Sequence, residues 1–125
     1  MNLFKAIGLI IVLSLSLPAV SAQGCDWTGT WSTGWTGDSS PSNVKMVLQQ
    51  VGDTVTGTYE HDDGRIIDAK LSGNTLTGTW VQSNGSGGFE FIMAEDCDSF
   101  DGSWTSDSPG DLGGEWSGVR VRLPG

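Results

Sequence analysis

One five-residue phrase, apolar, any residue, Gly, any residue, aromatic, recurs along the chain and constrains what it can fold into. It stands as Trp27-Thr28-Gly29-Thr30-Trp31, Val55-Thr56-Gly57-Thr58-Tyr59, Leu76-Thr77-Gly78-Thr79-Trp80 and Phe100-Asp101-Gly102-Ser103-Trp104. In a strand, successive side chains point to opposite faces, so the first, third and fifth residues of each phrase share one face and the Thr, Ser and Asp residues take the other. Gly29, Gly57, Gly78 and Gly102 each leave a gap between two bulky groups and let the sheet bend sharply, as a small closed barrel requires. The four phrases are therefore predicted to be alternate strands of one β-barrel.

Between them the remaining strands follow from apolar alternation and turn residues. Strands are predicted over 27–35, 44–50, 54–61, 65–71, 75–82, 89–95, 99–105 and 115–123, with no substantial helix because no stretch keeps a helical period. Eight strands joined by short links make an antiparallel up-and-down barrel, since parallel neighbours would need long crossovers. In that topology Cys25 and Cys97, each just before an odd-numbered strand, fall at the same end, here called the floor. The floor turns are brief. The opposite rim is predicted to carry the 37–43 loop, the Asp62-Asp63-Gly64 turn, and long glycine-rich loops at 83–88 and 106–114.

The first 22 residues read as a secretory signal: Lys5, an apolar run from Ala6 to Leu17, Pro18 and the small residues Val20-Ser21-Ala22. The barrel domain then occupies 23–125, and no segment is long enough for a membrane span. Without Lys5 the formal charge moves from -9 to about -10. So acidic a surface repels phosphate backbones, which excludes nucleic acid as a partner class. In an oxidising, extracytoplasmic compartment the default for two cysteines is a Cys25–Cys97 disulfide. The rival reading is an acylated Cys25 in a degenerate lipobox.

Trp31, Tyr59, Trp80 and Trp104 come late in odd strands and so are predicted inside, toward the rim, with Trp116 descending from that rim to join them. Trp27, Val55, Leu76 and Phe100 form the floor layer. Two readings of the aromatics stand side by side: a filled core, or the lining of a ligand pocket. Chemistry has few candidates. Asp68 and Asp101 fall on the outer face and supply no inward carboxylate pair. His61, the sole histidine, sits beside Asp62 and Asp63 at the rim, as a general base, part of a metal site or part of a solvated hairpin turn. Asp96 to Gly102 lacks the ligand alternation of a calcium loop, since Phe100 stands fifth and Asp101 sixth. No enzyme, metal or cofactor is called for. Val119, Val121 and Leu123, with Val47 and Val51, are expected on the outer face, a surface for self-association through strand eight.

Gly29-Thr30-Trp31 on the first strand with Arg120 on the last resembles the signature shared by lipocalins, fatty-acid-binding proteins and avidins, where a basic side chain of the closing strand covers the Gly-x-Trp ring. Arg120 is placed by alternation nearer the floor, over Trp27 rather than Trp31. The likeness is most specific to avidins over the first three strands, where Thr28 to Trp31 is followed by Thr56 to Tyr59. It implies a barrel with Tyr59 as a polar ligand contact. Thr33, Gly37 and His61 stand where avidins carry Asn, Ser and a hydroxyl residue, so the donors that hold biotin do not carry over. The chain is thus expected to be a secreted, non-enzymatic barrel binding a small, partly apolar or aromatic molecule through Trp31, Tyr59, His61, Trp80, Trp104 and Trp116. The alternative is a structural or interaction domain of the cell envelope that works through its outer surface around a fully packed aromatic core.

Overall fold

The structure is a computed structural model that describes residues 24–110 and 112–122, so the signal segment and Leu123 lie outside it. Eight strands follow in chain order: β1 (Gly29–Trp35), β2 (Val44–Val51), β3 (Thr54–Tyr59), β4 (Gly64–Ser72), β5 (Thr75–Gln82), β6 (Gly85–Met93), β7 (Ser99–Ser106) and β8 (Gly113–Arg120). Each pairs antiparallel with its sequence neighbour, and β1 pairs with β8 from Trp31↔Arg120 to Trp35↔Trp116, closing the barrel. The expected all-β, up-and-down topology is the observed one, and no helix is present among the described residues.

All four phrases point as expected. Trp31, Val55, Tyr59, Leu76, Trp80, Phe100 and Trp104 are buried, whereas Asp68, Asp101 and Ser103 are exposed. The gaps above the phrase glycines are filled from the neighbouring strand. A Cβ on Gly102 would lie 2.0 Å from the Glu90 carbonyl oxygen and 2.8 Å from the Phe91 ring, and one on Gly57 would lie 2.2 Å from the Val47 carbonyl oxygen. The strands approach so closely there that only hydrogen fits.

Four differences from the predicted strands and loops have local causes. β1 starts at Gly29 rather than Trp27 because the carbonyls of Asp26 and Thr28 are taken by the Arg120 guanidinium instead of a strand partner. β4 is interrupted by a bulge at Asp68, whose φ of 53° lets Ile66 and Ala69, three apart, both face inward. The predicted loop over 83–88 is a turn of Ser83 and Asn84 alone, with Gly85, Gly87 and Gly88 inside β6. Its glycines serve packing rather than mobility: Gly87 stands opposite Trp80, and a Cβ there would meet the Thr105 carbonyl oxygen at 1.8 Å. The last link is shortened too, because Ser106 N–H still donates to the Leu112 carbonyl.

Cys25 and Cys97 are joined by a disulfide at the floor, where the parity of the strands placed them. That bond accords with an extracytoplasmic location. Over the same spot the guanidinium of Arg120 donates from Nε to the Cys97 carbonyl (2.9 Å), from Nη1 to Thr28 (2.9 Å) and from Nη2 to Asp26 (2.7 Å). Its carbon lies 4.4 Å from the centre of a Trp31 ring. The basic cap of the resemblance is therefore present, but over Trp31 and not Trp27: Trp31 and Arg120 are direct cross-strand partners, whereas Trp27 precedes the paired segment. Asp98 receives Arg122 Nε at 2.9 Å and fixes the 96–98 turn as structural. Among the described residues no helix is long and apolar enough to cross a membrane. On the outer wall Val47, Val51, Val119 and Val121 are exposed as expected, together with Ile92.

Gly102→Ala is expected to destabilise the barrel by about 1–3 kcal/mol through overpacking against Glu90 and Phe91. The neighbouring outward Ser103→Ala should stay within about 0.5 kcal/mol of wild type. Urea denaturation of the two variants checks the contrast.

Candidate functional site

Among the described residues the barrel interior is filled from the floor to mid-height, and a cavity opens at the rim. Trp27, Trp31, Phe91 and Phe100 stack and edge together below, with centroids 4.2–6.4 Å apart. Met46, Leu48 and Ile66 complete that layer without exposure above 1%. Above them a cavity of about 380 Å³ is walled by Trp35, Trp80, Trp104 and Trp116. Its polar lining comes from the turns and strand ends of the rim, among them Asp38, His61, Asp62, Gln82 and Asn84.

Rigid backbone contacts hold the rings of this cavity. Trp80 Nε1 donates to the Thr105 carbonyl at 3.0 Å and Trp104 Nε1 to the Thr36 carbonyl at 2.9 Å. Those two rings meet edge to face, 5.9 Å apart at 82°. Trp35 meets Trp116 at 5.1 Å and His61 at 4.8 Å, both edge to face. Glycines make room for this bulk: Gly87 stands opposite Trp80, Gly114 opposite Trp104, and Gly64 lies under the Tyr59 ring. The Trp116 N–H is enclosed without a partner among the described residues. An unmatched buried donor of this kind costs roughly 1–3 kcal/mol.

Neither a known protein family nor a curated protein sequence matches the chain.

Of the six residues expected to contact a ligand, Trp80, Trp104, Trp116 and His61 line the cavity. Tyr59 lies behind its wall, packed against Trp35 (5.9 Å) and Trp116 (5.2 Å), with its hydroxyl donating to Gln82 Oε1 at 2.8 Å. Trp31 is not part of the cavity. It is fully buried near the floor, its Nε1 donating to the Trp27 carbonyl at 3.1 Å. The place expected for it belongs to Trp35, four residues and about 13 Å farther along β1. Trp35 was legible by the same alternation, since it shares a face with Trp31. Gln82 and Asn84 had no such signal, because their side chains are recruited by groups distant in sequence. Thr33, at the position of the avidin Asn, donates its hydroxyl to the Val44 carbonyl at 3.1 Å and is buried. It has no free hydrogen to offer a ligand.

His61 lies outside β3, in the turn that Asp62 and Asp63 form with φ of 50° and 56°, closed by Gly64 N–H donating to the His61 carbonyl. Its Nε2 is 3.3 Å from Asp62 Oδ2. No cluster of three His, Cys, Asp or Glu residues able to hold a metal occurs among the described residues.

Burial, and secondarily the charge of Asp62, push the Tyr59 phenol well above its ordinary value near 10. Because the folded state holds this proton more tightly than the unfolded state, the associated stability is complete below about pH 10 and declines as pH rises beyond it. Tyr59 is the chain's only tyrosine. Tyrosinate absorbance near 295 nm should therefore stay absent in the folded protein at about pH 11 and appear on unfolding in urea at the same pH.

Proposed function

We propose that this chain is a secreted, non-enzymatic barrel that binds a small, partly apolar ligand in the rim cavity. The observation that carries the reading is the uneven filling of the interior: the lower half is packed solid, while about 380 Å³ bounded by four tryptophans opens at the rim. A cavity of that size lies within the range of small-molecule sites, and its mix of aromatic walls with a few polar groups is the usual composition of such sites. Two of the four rings, Trp80 and Trp104, are held by hydrogen bonds to the backbone, which lowers the rearrangement needed to receive a ligand. The resemblance to the lipocalin and avidin group adds the precedent of small ligands in eight-stranded barrels. Support for it here is the Arg120 cap over Trp31 and the closed topology. The particular polar contacts of avidins are not reproduced, since the Thr33 hydroxyl is spent on the barrel wall and the Tyr59 hydroxyl on Gln82.

Titration with a panel of soluble aromatic and aliphatic compounds, followed by indole fluorescence, tests the reading. At least one compound should shift the emission saturably, and Trp80→Ala should weaken that compound by about tenfold or more. Unchanged affinity in a folded Trp80→Ala variant, or no saturable response across the panel, would contradict it.

A further inference from the structure

The polar side of the cavity has a direction. Tyr59 Oη donates to Gln82 Oε1 at 2.8 Å, Gln82 Nε2 donates to Asn84 Oδ1 at 2.9 Å, and Asn84 Nδ2 donates to Asp62 Oδ2 at 3.3 Å. His61 Nε2 reaches the same Asp62 oxygen at 3.3 Å. Each link passes its donor along the chain, and the chain ends on a carboxylate. Donor capacity is thus spent along the chain and acceptor capacity accumulates at Asp62, whose second oxygen takes no protein hydrogen bond among the described residues.

Charge has the same direction. Asp38 and Asp62 line the cavity, and among the described residues no Lys or Arg does. Arg120 and Arg122 are committed at the opposite end of the barrel, to the floor carbonyls and to Asp98. The apolar walls include the indoles of Trp35, Trp80, Trp104 and Trp116, whose π clouds are negative and attract cations more strongly than any other side-chain ring. With the Trp80 and Trp104 N–H groups bound to backbone carbonyls, neither indole offers a free donor that would repel a cation. An anionic ligand would meet two carboxylates and no counter-charge. A purely apolar one would strip water from Asp38 and Asp62 without replacing it.

Resting on the ligand-binding reading above, we propose that the rim cavity takes a small organic cation, a quaternary or protonated ammonium compound, held between the Asp62 carboxylate and the tryptophan faces. The apolar substituents on nitrogen fill the aromatic walls, and the positive charge meets the acceptor-rich side. Asp38, at the other lining carboxylate, adds to the field without sharing the hydrogen-bonded chain.

Calorimetric titration with choline and with its uncharged isostere 3,3-dimethylbutan-1-ol separates charge from shape. The cation should bind at least tenfold tighter than the alcohol at low salt, and its affinity alone should fall as sodium chloride is raised. Asp62→Asn should remove most of the preference while melting like wild type, since asparagine accepts the left-handed backbone of this position. The salt series on wild type decides the matter even if the variant folds poorly. Equal affinity for the two compounds, a preference untouched by both salt and Asp62→Asn, or binding of indole without binding of choline would overturn the cation proposal and leave the cavity as a ligand site. Failure of choline, the alcohol and indole alike would overturn both.

Discussion

The guanidinium of Arg120 is the interaction on which the rest of the barrel depends. It sits where β8 meets β1, and in one planar group it ties together the closing strand, the lead-in to the first strand and the turn before β7. Its three carbonyl acceptors have no other strand to pair with, so the cationic donor satisfies a floor that would otherwise be a ring of unpaired backbone groups. Hydrogen bonds to a charged group contribute about 1.5–3 kcal/mol each, more than the ~0.5–2 kcal/mol of the contact with Trp31. The aromatic contact therefore positions the side chain while the carbonyls hold it. The Cys25–Cys97 bridge binds the same two segments covalently across a sequence separation of 72. On loop entropy alone a bridge of that span is worth roughly 4 kcal/mol.

With the floor sealed, the unequal distribution of bulk decides what the interior can do. Cross-strand glycines allow large rings to lie flat against the wall, which lets one small barrel hold two tiers of aromatics. In the lower tier the rings interlock with aliphatic side chains and exclude everything else. In the upper tier Trp80 and Trp104 are tied to backbone carbonyls along the wall, and the space between the four tryptophans is left to polar groups from the turns. Closure at one end and a cavity at the other are two results of the same pattern of glycine opposite ring.

Much of this was legible in the residues because strand alternation has a short, rigid period. The faces of Val55, Tyr59, Leu76, Trp80, Phe100 and Trp104 followed from it, and so did the shared end of the two cysteines. Position along the barrel axis was less legible, since it depends on the stagger between strands, which alternation does not encode. Trp31 was assigned a height from strand position alone, and the register between β1 and β8 sets it down at the floor, beside Arg120, which lies at the end expected of it. Glycine carried a double meaning. Gly85, Gly87 and Gly88 look like a loop in one dimension and are a strand packed under Trp80 and against Thr105 in three. The chain of side chains from Tyr59 through Gln82 and Asn84 to Asp62 joins two turns of the rim that lie about twenty residues apart in sequence, and no local pattern announces such contacts.

Closure by β1 and β8 is the claim from which the floor, the cavity and the polar side all follow. Nuclear Overhauser contacts across that seam test it most directly, with Thr33 facing Gly118 and Trp31 facing Arg120. The account requires backbone cross-peaks at both pairs, as strong as those between established neighbours such as β5 and β6. Their absence, with β1 and β8 amides exchanging as open edges, would contradict it.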